Sequence, residues 1–198
     1  MRHKFIFQVG FGLVSISSLL NFAPVSLAGD TIIRGAAIDS SFAPVNPGIA
    51  TPNPGIVFQG DNIIVTDQVQ SGLNKSINEI FNSNQNQDST VIALIRGDNI
   101  TFAKQQVIDA FTKVGVDVNL TTELSARLEA LFNSQSVDIN QLNAAIKIYN
   151  QIVSQTGDSN LIALSELAEF KKVAEVLKKL RRTVNCSTRV QSNECISL

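Results

Sequence analysis

Between Val137 and Arg182 apolar residues return at steps of three and four, the spacing that places them on one face of a helix. The pattern predicts two helices folded back on each other through a short connection, with the rest of the chain organised around them. The first begins at Asp138. Its carboxylate can accept from the free N–H groups of the first turn while Gln141 reaches back, a capping box, and Val137 and Leu142 hold the positions of a hydrophobic staple. Leu142, Ala145, Ile146, Tyr149, Ile152 and Val153 form its apolar face, and Gly157 follows as a left-handed stop. Asp158 or Ser159 then caps a second helix carrying the stripe Ala163, Leu167, Phe170, Val173, Ala174, Leu177 and Leu180.

Upstream, Ile56–Gln59 and Asn62–Val65 flank the turn pair Gly60-Asp61 and read as a β-hairpin. Thr66 is placed to cap a helix with Val69, Leu73, Ile77, Ile80 and Phe81 inward, which Gly72 weakens. Residues 82–88 are an Asn/Gln-rich link. The apolar run 91–95 is too short for its period to separate strand from buried helix, and it reads as helix because helices surround it. Thr101 opens the next helix, with Val107, Ile108, Phe111 and Val114 inward and Gly115 as its stop; Thr121 or Thr122 opens another, with Leu124, Leu128, Leu131 and Phe132 inward. Gly-Asp-Asn-Ile recurs at 60–63 and 97–100, a match short enough to be shared turn chemistry. The expected fold class is mainly α: a small helical bundle of about five helices with a short N-terminal β-hairpin.

The ends of the chain add a destination. Arg2, His3 and Lys4 precede a mostly apolar run from Phe5 to Phe22, and Ser26-Leu27-Ala28 offers the small residues that a signal peptidase reads, so residues 1–28 are expected to be a removed signal peptide. An uncleaved anchor is the alternative, but polar residues interrupt a run barely long enough to span. No cysteine follows it to carry a lipid anchor. Residues 29–55 form an extended leader with Pro44, Pro47, Pro52 and Pro54, in which 46–49 and 53–56 repeat Asn-Pro-Gly-Ile; each Pro-Gly suits a type II turn. A spacer is the plain reading of this leader, and a proline-rich docking segment the functional one. The helical domain then covers 56–182 and a polar tail 183–198. Cys186 and Cys195, the only cysteines, are expected to close that tail with a disulfide in an oxidising compartment.

The runs Val91-Ile92-Ala93-Leu94-Ile95-Arg96-Gly97, Lys113-Val114-Gly115-Val116 and Asn143-Ala144-Ala145-Ile146-Lys147-Ile148-Tyr149-Asn150 resemble pieces of uncharacterised exported proteins of cyanobacteria, over roughly residues 89–182. The resemblance carries no functional motif; it implies a bacterial envelope setting.

Charge and chemistry narrow the function further. Residues 30–170 carry fifteen acids against seven bases, and 171–198 seven bases against two acids. Lys171, Lys172, Lys178, Lys179 and Arg182 lie opposite the apolar stripe of the last helix, a candidate anion-binding face for anionic lipid or an envelope polymer. The same cations equally suit a helix C-terminus, an i,i+4 pair between Glu175 and Lys179, or the acidic body of the protein. Nucleic acid is the poorest partner, for want of interleaved aromatic residues. Removing 1–28 takes away the only histidine, His3, and tryptophan is absent; His-dependent nucleophile triads and His-ligated metals are then unavailable. Glu166 with Glu169 and Glu123 with Glu129 remain as carboxylate pairs on polar helix faces. The integrin-type tripeptide 96–98, the four Asn-x-Ser/Thr sequons and the sparse oxygens of 85–88 carry little weight as adhesion, glycan or calcium sites. The expectation is a non-catalytic exported protein without cofactor, acting by binding or as a structural component, with another envelope protein as a partner class. Amino-terminal sequencing of the exported form checks the first step: the mature chain begins at or near Gly29, and a start far from it removes the export reading.

Overall fold

The computed structural model describes residues 37–38, 55–59, 61–133 and 135–188. The expected signal peptide, most of the leader and Cys195 therefore lie outside the described residues. Within them the protein is mainly helical, with a two-stranded antiparallel hairpin leading into seven α-helices. The hairpin pairs β1 (Ile56–Gln59) with β2 (Asn62–Val65), Gln59 opposite Asn62. The helices are α1 (Asp67–Asn82), α2 (Thr90–Arg96), α3 (Ile100–Lys113), α4 (Val118–Glu129), α5 (Ile139–Gln155), α6 (Asp158–Glu166) and α7 (Ala168–Thr188). None of the described helices is long and apolar enough to cross a membrane.

The helix starts show which polar group captured the free N–H donors of each first turn. Asp138 caps α5 as expected, accepting from Asn140 and Gln141 N–H at 2.8 and 3.1 Å. Gln141 does not complete the box: its side-chain oxygen accepts from Arg127, and the Asp138 N–H donates to the Leu131 carbonyl. Thr66 stands at the start of α1 without its hydroxyl bonding the turn. Thr101 does not open α3, because Asn99 tolerates a left-handed φ of 45° and starts the helix sooner. Neither Thr121 nor Thr122 opens α4; Asp117 does, accepting from Asn119 and Leu120 N–H. A carboxylate at a helix N-terminus also gains from the dipole, which a threonine hydroxyl does not.

The predicted second helix of the pair is two helices. At about 100° per residue an unbroken helix would hold Leu161 and Leu164 on the side opposite Val173, Leu177 and Leu180. All five are buried, so the chain breaks at Leu167 and re-phases the stripe, leaving Ala163 exposed rather than inward. Gly157 is not a left-handed stop either. Its backbone is extended (φ −65°) and it heads α6, while the Thr156 hydroxyl donates to the Ile152 carbonyl and closes α5.

The principal neighbour of α7 is α1, remote in sequence, and not the preceding helix; α7 also packs on α2, α3, α5 and α6. Its Phe170 stacks on Tyr149 of α5 at 5.0 Å between ring centroids and meets Phe111 of α3 edge-on at 6.2 Å. The Tyr149 hydroxyl is buried without a partner, and burial pushes its ionisation well above the ordinary phenol range.

Gly72 explains how closely α1 and α7 approach. A β-carbon there would lie 2.9 Å from Ser187 Oγ and 3.2 Å from Thr183 Cγ2. One turn on, Ser76 and Thr183 touch through their hydroxyls at 2.7 Å in the core; Thr183 donates to the Lys179 carbonyl, which leaves Ser76 the donor. The glycine that weakens α1 as an isolated helix thus permits its main contact. Helix α7 also runs past Arg182, so Cys186 sits in its final turn and not in a separate tail. Gly72→Val is expected to lower stability by about 1–3 kcal/mol through overpacking, read as a lower urea midpoint with unchanged slope. An unchanged midpoint would show that the seam has room to spare.

Candidate functional site

Three residues outside the helices lie against them, and their peptide groups are held by carboxamide side chains. Ile63 of β2 donates its N–H to Asn140 Oδ1 at 2.8 Å and accepts from Asn140 Nδ2 at 3.3 Å. Ile38 is held the same way by Asn150, at 2.8 and 2.6 Å. Val137 donates to Asn74 Oδ1 and accepts from Gln70 Nε2, both at 3.0 Å, on α1. A primary amide offers a donor and an acceptor side by side, as the edge of a neighbouring strand would, so each replaces a missing strand on a helix surface. The leader is therefore not wholly a spacer: Ile38 is buried and fixed on α5. Between the two clamps on α5, the Asn143 Oδ1 is buried without a partner.

The Asn140 clamp sets the orientation of the hairpin. Gln59 and Asn62 flank a two-residue turn and form the bonded closing pair. Alternation makes Val57–Ile64 the next bonded pair, and the Thr66 N–H donating to the Gly55 carbonyl at 3.0 Å continues it. The peptide groups of Ile63 and Val65 on one strand, and of Ile56 and Phe58 on the other, therefore point away from the hairpin. Asn140 takes those of Ile63. Ile56 and Ile63 face the core, whereas Val57 and Ile64 are 58% and 46% exposed and Phe58 47%.

The predicted basic face divides. Lys172 donates to Asn86 Oδ1 and Glu175 Oε2, both at 2.6 Å, and Asn86 in turn donates to the Ile80 carbonyl, pinning the 3-10 turn Asn84–Asn86 onto α7. Lys179 does not pair with Glu175. It reaches Glu79 on α1 at 2.9 Å, and that hydrogen bond holds the Glu79 carboxyl below its ordinary 4.5, against a smaller opposing effect of burial. A lowered carboxyl pKa means the tie is fully present above 4.5 and fades as pH falls through the lowered value. Glu79 is half-exposed, so the tie is worth little in stability. Lys171, Lys178 and Arg182 remain exposed along one face of α7, with Glu175 between them.

Two of the four carboxylates considered for catalysis belong to surface ion pairs. Glu129 accepts from Lys104 at 2.7 Å across the α3–α4 seam, and Glu123 pairs with Arg127 one turn along α4. Glu166 ends α6 and Glu169 lies in the first turn of α7, on either side of the break. The Arg96 guanidinium stacks over Phe81 at 5.1 Å and donates to the Phe81 carbonyl, so this arginine of the 96–98 tripeptide is committed to the protein itself. Asn74, the first sequon asparagine, is taken up by Gln70 and Val137. Cys186 is not a free thiol. Comparison with protein-family models, curated proteins and solved structures finds no match for this chain.

Sequence reasoning missed the clamps. Their signal is faint: asparagine is a poor helix former, yet α5 carries Asn140, Asn143 and Asn150. Asn140→Ala removes both bonds to Ile63, worth together about 1–1.5 kcal/mol of local stability. The Ile63 amide is then expected to exchange its hydrogen roughly 5–10 times faster, with the α2 amides unchanged. An Ile63 rate equal to that of the unaltered protein would show that the clamp contributes nothing.

Proposed function

We propose that the chain is an exported, non-catalytic component of a bacterial envelope or periplasm, acting by binding or as a structural part. One observation supports the non-catalytic half: apart from Asn143 Oδ1 and the Tyr149 hydroxyl, which are buried without a partner, the polar side chains described at the interior are taken up by the protein's own backbone and seams. Asn74, Asn86, Asn140 and Asn150 hold main-chain groups, and Ser76 and Thr183 bond each other. Export is supported by the sequence of residues 1–28 and by the likeness of 89–182 to exported cyanobacterial proteins. A disulfide between Cys186 and Cys195, suited to that compartment, is supported by Cys186 not being free and by Cys195 being the only other cysteine.

A second reading is a binder of anionic membrane surfaces or polymers, favoured by the exposed row Lys171, Lys178 and Arg182. Only three of the five predicted cations are available to it, since Lys172 and Lys179 are engaged within the protein. Co-sedimentation with liposomes, with and without anionic lipid, separates the two. The first reading expects the mature chain to stay in the supernatant. Binding that disappears at high salt and in Lys171→Glu/Lys178→Glu would favour the second. Turnover of peptidoglycan or polysaccharide that a Glu→Gln change abolishes would overturn both.

A further inference from the structure

Among the described residues the outer edge of β1 has no strand beside it. Ile56 and Phe58 direct their N–H and C=O groups away from the hairpin on that edge. On the opposite edge Asn140 takes the peptide groups of Ile63, so among the described residues β1 has the edge on which no side chain stands in for a strand. Proteins usually guard such an edge with a charge, a proline or a bulge. The strand Ile-Val-Phe-Gln has none of these.

We propose that the occupant is a second copy of β1, paired antiparallel about a twofold axis at Val57. The choice follows from self-complementarity. With the axis at Val57, Ile56 of one copy stands opposite Phe58 of the other. Those are the two residues with outward peptide groups, so each such pair exchanges two hydrogen bonds. Val57 keeps its bonds to Ile64 and meets its own counterpart as a non-bonded pair, where side chains approach most closely. The half-exposed Phe58 comes beside Ile56 of the partner, and no charge opposes a like charge along the strand. The result is a four-stranded antiparallel sheet linking two helical bundles. A join of this size lies at the small end of interfaces, so the dimer is expected to form and dissociate with concentration.

This inference gives a partner to the binding reading above. Its failure is separable, because a monomeric chain would leave the export reading to amino-terminal sequencing. The test uses the chain from Gly29 onward. Sedimentation across a concentration series is expected to show a reversible dimer, with the Ile56 and Phe58 amides slowing in hydrogen exchange as concentration rises. Val57→Cys should then join to itself under mild oxidation, since non-bonded pairs fall within the Cα spacing a disulfide spans. Gln59→Cys should not, because the twofold holds those residues roughly 13 Å apart. Phe58→Pro removes an outward donor that the hairpin does not use and should abolish the dimer, whereas Phe58→Thr keeps the donor and should retain it. If Phe58→Pro fails to fold, the two cysteine variants still decide. A chain monomeric at every concentration, a dimer that survives Phe58→Pro in a folded protein, or cross-linking at 59 equal to that at 57 each overturns the proposal.

Discussion

The seam between α1 and α7 is the constraint on which the rest of the bundle depends. The side chains Val173, Val176, Leu177, Leu180 and Val184 can be buried only if neighbours crowd round α7, and α1 supplies the largest share. A β-carbon at position 72 would crowd Ser187 and Thr183 on that approach, and the buried hydroxyls of Ser76 and Thr183 satisfy each other. With α1 set in this way, α2, α3, α5 and α6 find the remaining faces of the same helix. The break at Leu167 follows from the same demand, since Leu161 and Leu164 reach the core only once the helix has been re-phased.

A helical bundle offers non-helical chain few backbone partners, yet Ile38, Ile63 and Val137 lie against it with satisfied peptide groups. Amide side chains solve this by presenting the donor and acceptor that a strand edge would have supplied. Leaving such groups buried and unpaired would cost on the order of 1–3 kcal/mol each. The high asparagine and glutamine content thus has an architectural use: the hairpin, the Ile38 contact and the loop entering α5 are all mounted on helices through carboxamides. A rigid mount of this kind leaves the far edge of β1 outward and fixed in direction.

Charge is used in the same inward-looking way. The chain is acidic before residue 171 and basic after it, and part of that contrast is neutralised within the fold by Lys179 on Glu79, while Lys172 is engaged by Asn86 and by Glu175 of its own helix. What remains on the surface of α7 is a thinner basic row than the linear order suggests.

By itself the amino-acid order determined the helical class, the hairpin with its two-residue turn, and nearly every inward residue of α1, α5 and the body of α7, because apolar periodicity records which face must leave water. It also carried the Asp138 cap and the left-handed Gly115, since those depend on chemistry within one turn. Only the tertiary structure decided the partner of α7, the break at Leu167, the use of Gly72, and which lysines stay free. Each is a relation between residues far apart in the chain: Gly72 with Thr183, Glu79 with Lys179, Asn140 with Ile63. Such pairs leave no local period to read. A short side chain looks weak, and an asparagine merely polar, until the surface that approaches it is in place.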